Sequence, residues 1–169
     1  DFSLSRGLGD VYKRQDRGER LWASVFHSIS AYNNAGFGLW SDSLEHYHDN
    51  VLVNAVVIVL IVMGGLGWRV TSDLASQGVR RGRRRLSLHT RLVLRTTLLL
   101  VVFGTLGLAL TEWLNRGEVF IGMAWRERWM TALFESVTAR TAGFTTVPFS
   151  LENITDSGTL LLMALMFIG

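Results

Sequence analysis

The chain has 169 residues, of which 49% are hydrophobic and only 18% charged, against about 25% charged in an ordinary soluble domain. Mean hydropathy is positive at +0.26, which favours a membrane protein. One proline and 17 glycines exclude collagen-like and proline-rich disordered chains, and the lack of cysteine removes disulfide frameworks, thiolate metal sites and cysteine nucleophiles.

Residues 1–17 have neither helical nor strand periodicity and lack the apolar core of a signal peptide, so they are expected to be a non-native or disordered leader. From Trp22 to Tyr32, WASVFHSISAY places Trp22, Val25, Phe26, Ile29 and Tyr32 at helical spacing. A dozen residues make a helix of roughly 18 Å, too short for a hydrocarbon core of about 30 Å. Val51 to Trp68 is an uncharged run with one polar side chain, Asn54, just long enough for a span and ending in Gly64, Gly65 and Gly67. Small residues there let neighbouring backbones approach closely. A nucleotide-binding glycine loop would instead need a strand before it and a solvated helix start after it.

Between Trp68 and Thr96 lie Arg69, Arg80, Arg81, Arg83, Arg84, Arg85, Arg91 and Arg95 against a single acid, Asp73. A basic stretch between two spans is the cytoplasmic signature of the positive-inside rule. The second apolar run, Leu92 to Leu110, should then cross from inside to outside, with Arg95 snorkelling at its basic end. A second short segment, WMTALFESVTAR from Trp129 to Arg140, again has helical spacing and again cannot span. Thr159 to Gly169 starts a third apolar helix that stops in mid-run without a polar flank, as expected of a truncated sequence.

The two short segments are copies of one another. Phe26-His27-Ser28-Ile29-Ser30-Ala31 matches Phe134-Glu135-Ser136-Val137-Thr138-Ala139, and each copy leads into Ala-Gly-Phe, at Ala35-Gly36-Phe37 and Ala142-Gly143-Phe144. A polar stretch and a long apolar helix follow in both, with a period of about 107 residues. A glycine after a short amphipathic helix is by itself an ordinary helix terminator. Two copies in equivalent places point further: extended backbone at membrane depth is tolerated only where it lines water or is buried in protein. Carbonyls converging there, beside negative helix C-termini, can replace an ion's hydration shell. Hard oxygen ligands without carboxylates suit a monovalent cation better than a divalent one. The copies differ in one respect, because three residues separate the shared alanine from Ala-Gly-Phe in the first (Tyr32-Asn33-Asn34) and two in the second (Arg140-Thr141).

The motifs SISAYNNAGF and SVTARTAGF, the helix ending VMGGLG and the continuation LSLHTRLVLR resemble the Trk/Ktr/HKT superfamily of potassium transporters, most closely the bacterial Ktr/Trk-type translocation subunit, over about residues 21–169. The resemblance implies an all-α membrane fold of four successive helix, re-entrant pore loop, helix units around one pore. Residues 18–68 would be the pore loop and second helix of the second unit, 69–91 a basic cytoplasmic loop, and 92–169 the first helix, pore loop and truncated second helix of the third. It places a selectivity filter at Asn34, Ala35, Gly36 and Phe37 and at Thr141, Ala142, Gly143 and Phe144, with Gly36 and Gly143 supplying the unusual φ and Arg140 as filter support. Potassium would be the transported ion, with no cofactor and no other metal. Implied partners are membrane lipid, the remaining repeats, a second copy in a homodimer and a cytosolic nucleotide-binding regulatory subunit facing the arginine loop. The location would be the plasma membrane, multi-pass. A pore needs all four units, so this segment is not expected to conduct alone. In the family pattern a neutral polar residue is expected where Glu135 stands.

A membrane enzyme would have to draw on His27, His46, His48 and His89 with Asp42, Glu45 or Asp49, yet no HExxH or Gly-x-Ser-x-Gly occurs. A basic RNA-binding module would need stacking aromatics among the arginines, and none lies between Arg69 and Arg95. No nucleic-acid partner is therefore expected. Asn153-Ile154-Thr155 matches a glycosylation sequon and is read as chance.

Overall fold

A computed structural model describes residues 17–79, 86–114, 123–147 and 154–168. Residues 1–16 of the expected leader, the arginines from Arg80 to Arg85 and the sequon's Asn153 fall outside these described residues, while Arg17 opens the first helix. The described residues are helical with irregular connections: α1 (Arg17–Tyr32), α2 (Val51–Gly65), α3 (Gly67–Val79), α4 (Leu88–Leu114), α5 (Trp125–Thr141) and α6 (Asp156–Ile168), plus a 3-10 turn at Glu45–Tyr47.

Helix α5 is the buried centre, packed on α2, α4 and α6, whereas α1 packs on α2. Its start is held by Glu127, whose carboxylate accepts the Ala124 N–H at 3.0 Å. Helix α4, 27 residues long, is apolar and long enough to cross a membrane. It carries exposed Leu98, Leu99, Val102, Phe103 and Leu106 on its outer side, the kind of surface lipid covers. At its end Trp113, Trp125 and Trp129 form an edge-to-face ladder with centroids 6.0 and 5.5 Å apart, side chains suited to a headgroup boundary. The inner side of α4 closes on α5 at Gly104, where an added Cβ would strike Ser136 Oγ, and Ser136 Oγ donates to the Val101 carbonyl at 3.2 Å.

Helix α2 begins with Asn50, whose side chain accepts the Val53 N–H. Its one polar residue within the apolar run, Asn54, is buried and donates to the carbonyls of Tyr47 and His48 at 3.2 and 2.9 Å, tying the helix to the preceding loop. The run to Trp68 is not one straight helix: the chain turns through 104° between α2 and α3. Gly67 with φ +76° permits the turn, and Gly64 is a close-approach site, since a Cβ there would meet the Tyr32 carbonyl at the end of α1. Helix α3 returns to the start of α4, where Asp73 Oδ2 accepts from Thr90 Oγ1 at 2.6 Å and from the Ser87 N–H at 3.2 Å. Those donors stabilise the charged form and hold the Asp73 carboxyl below its ordinary range.

At the start of α6, Glu112 on α4 accepts from the Thr155 N–H and hydroxyl at 3.3 and 2.8 Å, while Thr155 Oγ1 accepts the Gly158 N–H. Both short helices start earlier than periodicity indicates, at Arg17 and Trp125, because polar opening turns carry no apolar pattern. Even so, 16 and 17 residues give about 24 and 26 Å, still short of a span.

Candidate functional site

Helices α1 and α5 each end by releasing an extended strand, and the two ends differ as their sequences do. On α1 the Ala35 N–H donates to the Ser30 carbonyl (2.9 Å) and the Asn34 N–H to the Ala31 carbonyl (3.1 Å), the paired bonds of a Schellman cap. The left-handed position is taken by Asn34, φ +52°. Asparagine is the side chain that tolerates this region best after glycine, so the extra residue of the first copy is absorbed in the cap. On α5 both the Ala142 and Gly143 N–H groups donate to the Thr138 carbonyl. Beyond these caps the copies converge: Gly36 has φ +68° and Gly143 φ +78°.

Each strand then runs back along its own helix, and the same two bonds brace it. Ser30 Oγ donates to the Phe37 carbonyl at 2.9 Å, and Thr138 Oγ1 to the Phe144 carbonyl at 2.8 Å. One turn earlier, His27 Nε2 accepts the Leu39 N–H at 3.3 Å, and Glu135 Oε1 accepts the Thr146 N–H at 3.0 Å. Because Nε2 accepts, the imidazole hydrogen is assigned to Nδ1, which donates to the Ala23 carbonyl at 2.7 Å. The ring also stacks on Trp40, centroids 4.5 Å apart at 16°.

The two strands lie against each other. A Cβ on Gly36 would run into the Ala142 carbonyl oxygen, and a Cβ on Gly143 would come within 4.0 Å of Gly36 Cα. The loop of the first copy clamps the second strand: the Thr145 N–H donates to Ser43 Oγ (3.2 Å) and its carbonyl accepts the Leu44 N–H (3.0 Å). Two helix C-termini, each the negative end of a dipole, thus meet beside paired strands of backbone amides without a carboxylate in either strand.

Of the residues singled out from the sequence, the structure brings Gly36 against Ala142 and Gly143. It turns the Phe37 and Phe144 carbonyls back towards Ser30 and Thr138. Arg140 is half-buried with Nε lacking a partner, and among the described residues no hydrogen bond joins it to a strand carbonyl. The histidines and acids do not gather: among the described residues no three His, Asp or Glu side chains are placed to hold a metal. Asp42 and His46 approach at 3.5 Å in an exposed loop. Beside them, burial and then Asp42 push the Glu45 carboxyl up. Sequence reading missed Ser30, Thr138 and Ser43 as braces and knew His27 only as a catalytic candidate. The available signal was the three-residue spacing of His27 to Ser30 and of Glu135 to Thr138, which puts each pair on one helix face.

Comparison with known proteins agrees with this architecture. A family model described as "TrkH: Cation transport protein" matches residues 2–169. Ktr system potassium uptake protein B of Bacillus subtilis is 38% identical over 153 residues, and the protein of that name from Vibrio alginolyticus is 38% identical over 152. Potassium/sodium uptake protein NtpJ of Enterococcus hirae is 36% identical over 149 residues. Each match covers 88% of this chain and 32% of the relative, so the chain spans about a third of these curated relatives. With its repeated short helices, abutting glycine strands and this family match, the chain belongs to the TrkH family of cation transport proteins.

Proposed function

We propose that the chain supplies two neighbouring units of a potassium-translocating pore, in which backbone carbonyls of Asn34, Ala35 and Gly36 and of Thr141, Ala142 and Gly143 replace water around the ion. The observation that carries this reading is the repeated unit itself: two short helices, each releasing a strand braced by equivalent bonds, with positive-φ glycines abutting across the repeat. The descriptions of the two Ktr relatives name potassium, and that of the Enterococcus hirae relative names potassium and sodium, which supports potassium as a transported ion.

An asymmetry supports further units around the same axis. Phe144 is fully buried in a cluster with Ala31, Val57 and Ile61 of the first copy, whereas Phe37 is 70% exposed. The second copy has a corresponding cavity of about 360 Å³, lined by Glu135, Thr138, Ala139, Leu162 and Met166. A ring in which each unit's phenylalanine fills its neighbour's hollow accounts for both. The arginine-rich stretch would lie on the cytoplasmic side, facing anionic lipid or a regulatory subunit, with the complete transporter a homodimer.

Gly143→Ser in the complete transporter tests the filter. Membrane insertion should persist while potassium uptake falls or discrimination against sodium relaxes. Unchanged potassium and sodium fluxes would remove the filter assignment.

A further inference from the structure

His27 and Glu135 occupy the same register of the two short helices, and both are buried, at 7% and 4% exposure. Imidazole and carboxylate share little chemistry, yet each accepts the backbone N–H of the residue two positions past its strand's phenylalanine, Leu39 or Thr146. The acceptor also matches what the strand offers. Leu39 presents one donor, its N–H, and His27 presents one lone pair, its other ring nitrogen being engaged by the Ala23 carbonyl. Thr146 presents two donors, and both its N–H and its hydroxyl reach Glu135 Oε1 at 3.0 Å. A carboxyl oxygen, with two lone pairs, accepts both donors where an imidazole nitrogen would satisfy one.

We propose that His27 and Glu135 are equivalent positioning residues that anchor the outer ends of the two filter strands by accepting these amides, so that ion discrimination depends on an acceptor at this register. The inference rests on the filter reading above. The physical reason is leverage. Each strand is tied at its inner end by the helix cap and at its phenylalanine by Ser30 or Thr138, and the amide bond ties it to its own helix beyond the phenylalanine; in the second copy Thr145 is held as well by Ser43 Oγ and the Leu44 N–H. Without the acceptor, a strand amide in a water-poor site loses its partner and the segment shifts to find another. The carbonyl spacing moves with it.

The test uses the complete transporter in proteoliposomes, with rubidium tracer uptake competed by potassium and by sodium. The ratio of half-inhibiting concentrations is independent of the amount of active protein. Glu135→Leu removes the acceptor at similar volume. His27→Phe keeps a ring against Trp40 and removes only the nitrogens. Glu135→Gln restores an accepting oxygen without charge. Both acceptor deletions should lower the potassium preference by roughly three- to tenfold, the equivalent of the one strand-amide hydrogen bond that both lose, with Glu135→Gln near wild type. Wild-type ratios in the deletions, alongside an altered ratio in Gly143→Ser, would overturn the proposal and leave the filter standing. If Gly143→Ser is also unaltered, the filter reading itself falls. Should Glu135→Leu fail to insert, His27→Phe decides alone, and a Glu135→Gln as impaired as Glu135→Leu would refute the acceptor role.

Discussion

Replacing Gly36 by alanine should do more harm than the same change at Gly143, although both glycines occupy the same motif. Each has a positive φ, +68° and +78°, a region that costs an L-residue roughly 1–2 kcal/mol. For Gly143 that is nearly the whole cost, since the nearest atom to an added methyl is Gly36 Cα at 4.0 Å. At Gly36 the methyl would collide with the Ala142 carbonyl oxygen, with the Ala142 and Gly143 carbonyl carbons at 3.2 and 3.3 Å. These are backbone atoms of the neighbouring strand, and no rotamer change moves them aside. Overpacking of this kind costs about 1–3 kcal/mol more, so Gly36→Ala should total about 2–5 kcal/mol. The strain falls where the two strands touch, and rubidium uptake in proteoliposomes at matched membrane abundance should read it directly. Uptake should drop about tenfold further in Gly36→Ala than in Gly143→Ala, one decade per 1.4 kcal/mol. If the two variants are equally impaired, or Gly143→Ala is worse, the strands do not abut as described.

Two further expectations concern the scaffold. Gly104→Ala should destabilise the α4–α5 contact by about 1–3 kcal/mol, because the new methyl strikes Ser136 Oγ and approaches Leu165 Cδ1 to 2.8 Å. Truncating that hydroxyl in Gly104→Ala/Ser136→Ala should recover part of the lost thermal stability in detergent, and a double variant no better than the single would contradict the packing. At the α3–α4 corner, the Thr90 hydroxyl bond first, then those of Ser87, depress the folded-state pKa of Asp73. Its contribution is therefore present above the ordinary aspartate pKa of about 3.9 and is lost as pH falls through the lower folded value. Hydrogen-exchange protection of Ser87 and Arg91 should decline in acid and with Asp73→Ala at neutral pH; protection indifferent to both would remove the carboxylate from that corner.

Much of this protein was legible from its sequence by itself. The copied segments revealed a repeated unit, and helix length against bilayer thickness showed that neither short helix spans. Glycines at matching places marked the strands, because a positive φ is a local demand that only a few residue types meet. Even the one-residue mismatch between copies was visible, though not its solution, a left-handed cap at Asn34. Tertiary structure alone decided which atoms meet. The path of each strand back along its helix made His27 and Glu135 acceptors for Leu39 and Thr146, and separations of 11 or 12 residues carry no periodic signal for such a bond. Packing likewise decided that Gly36 and Gly64 must be bare while Gly143 has room, and that the apolar run bends after Gly65. Composition and spacing report the conformations a segment prefers, but donor–acceptor pairing and close approach depend on surfaces brought together from distant parts of the chain.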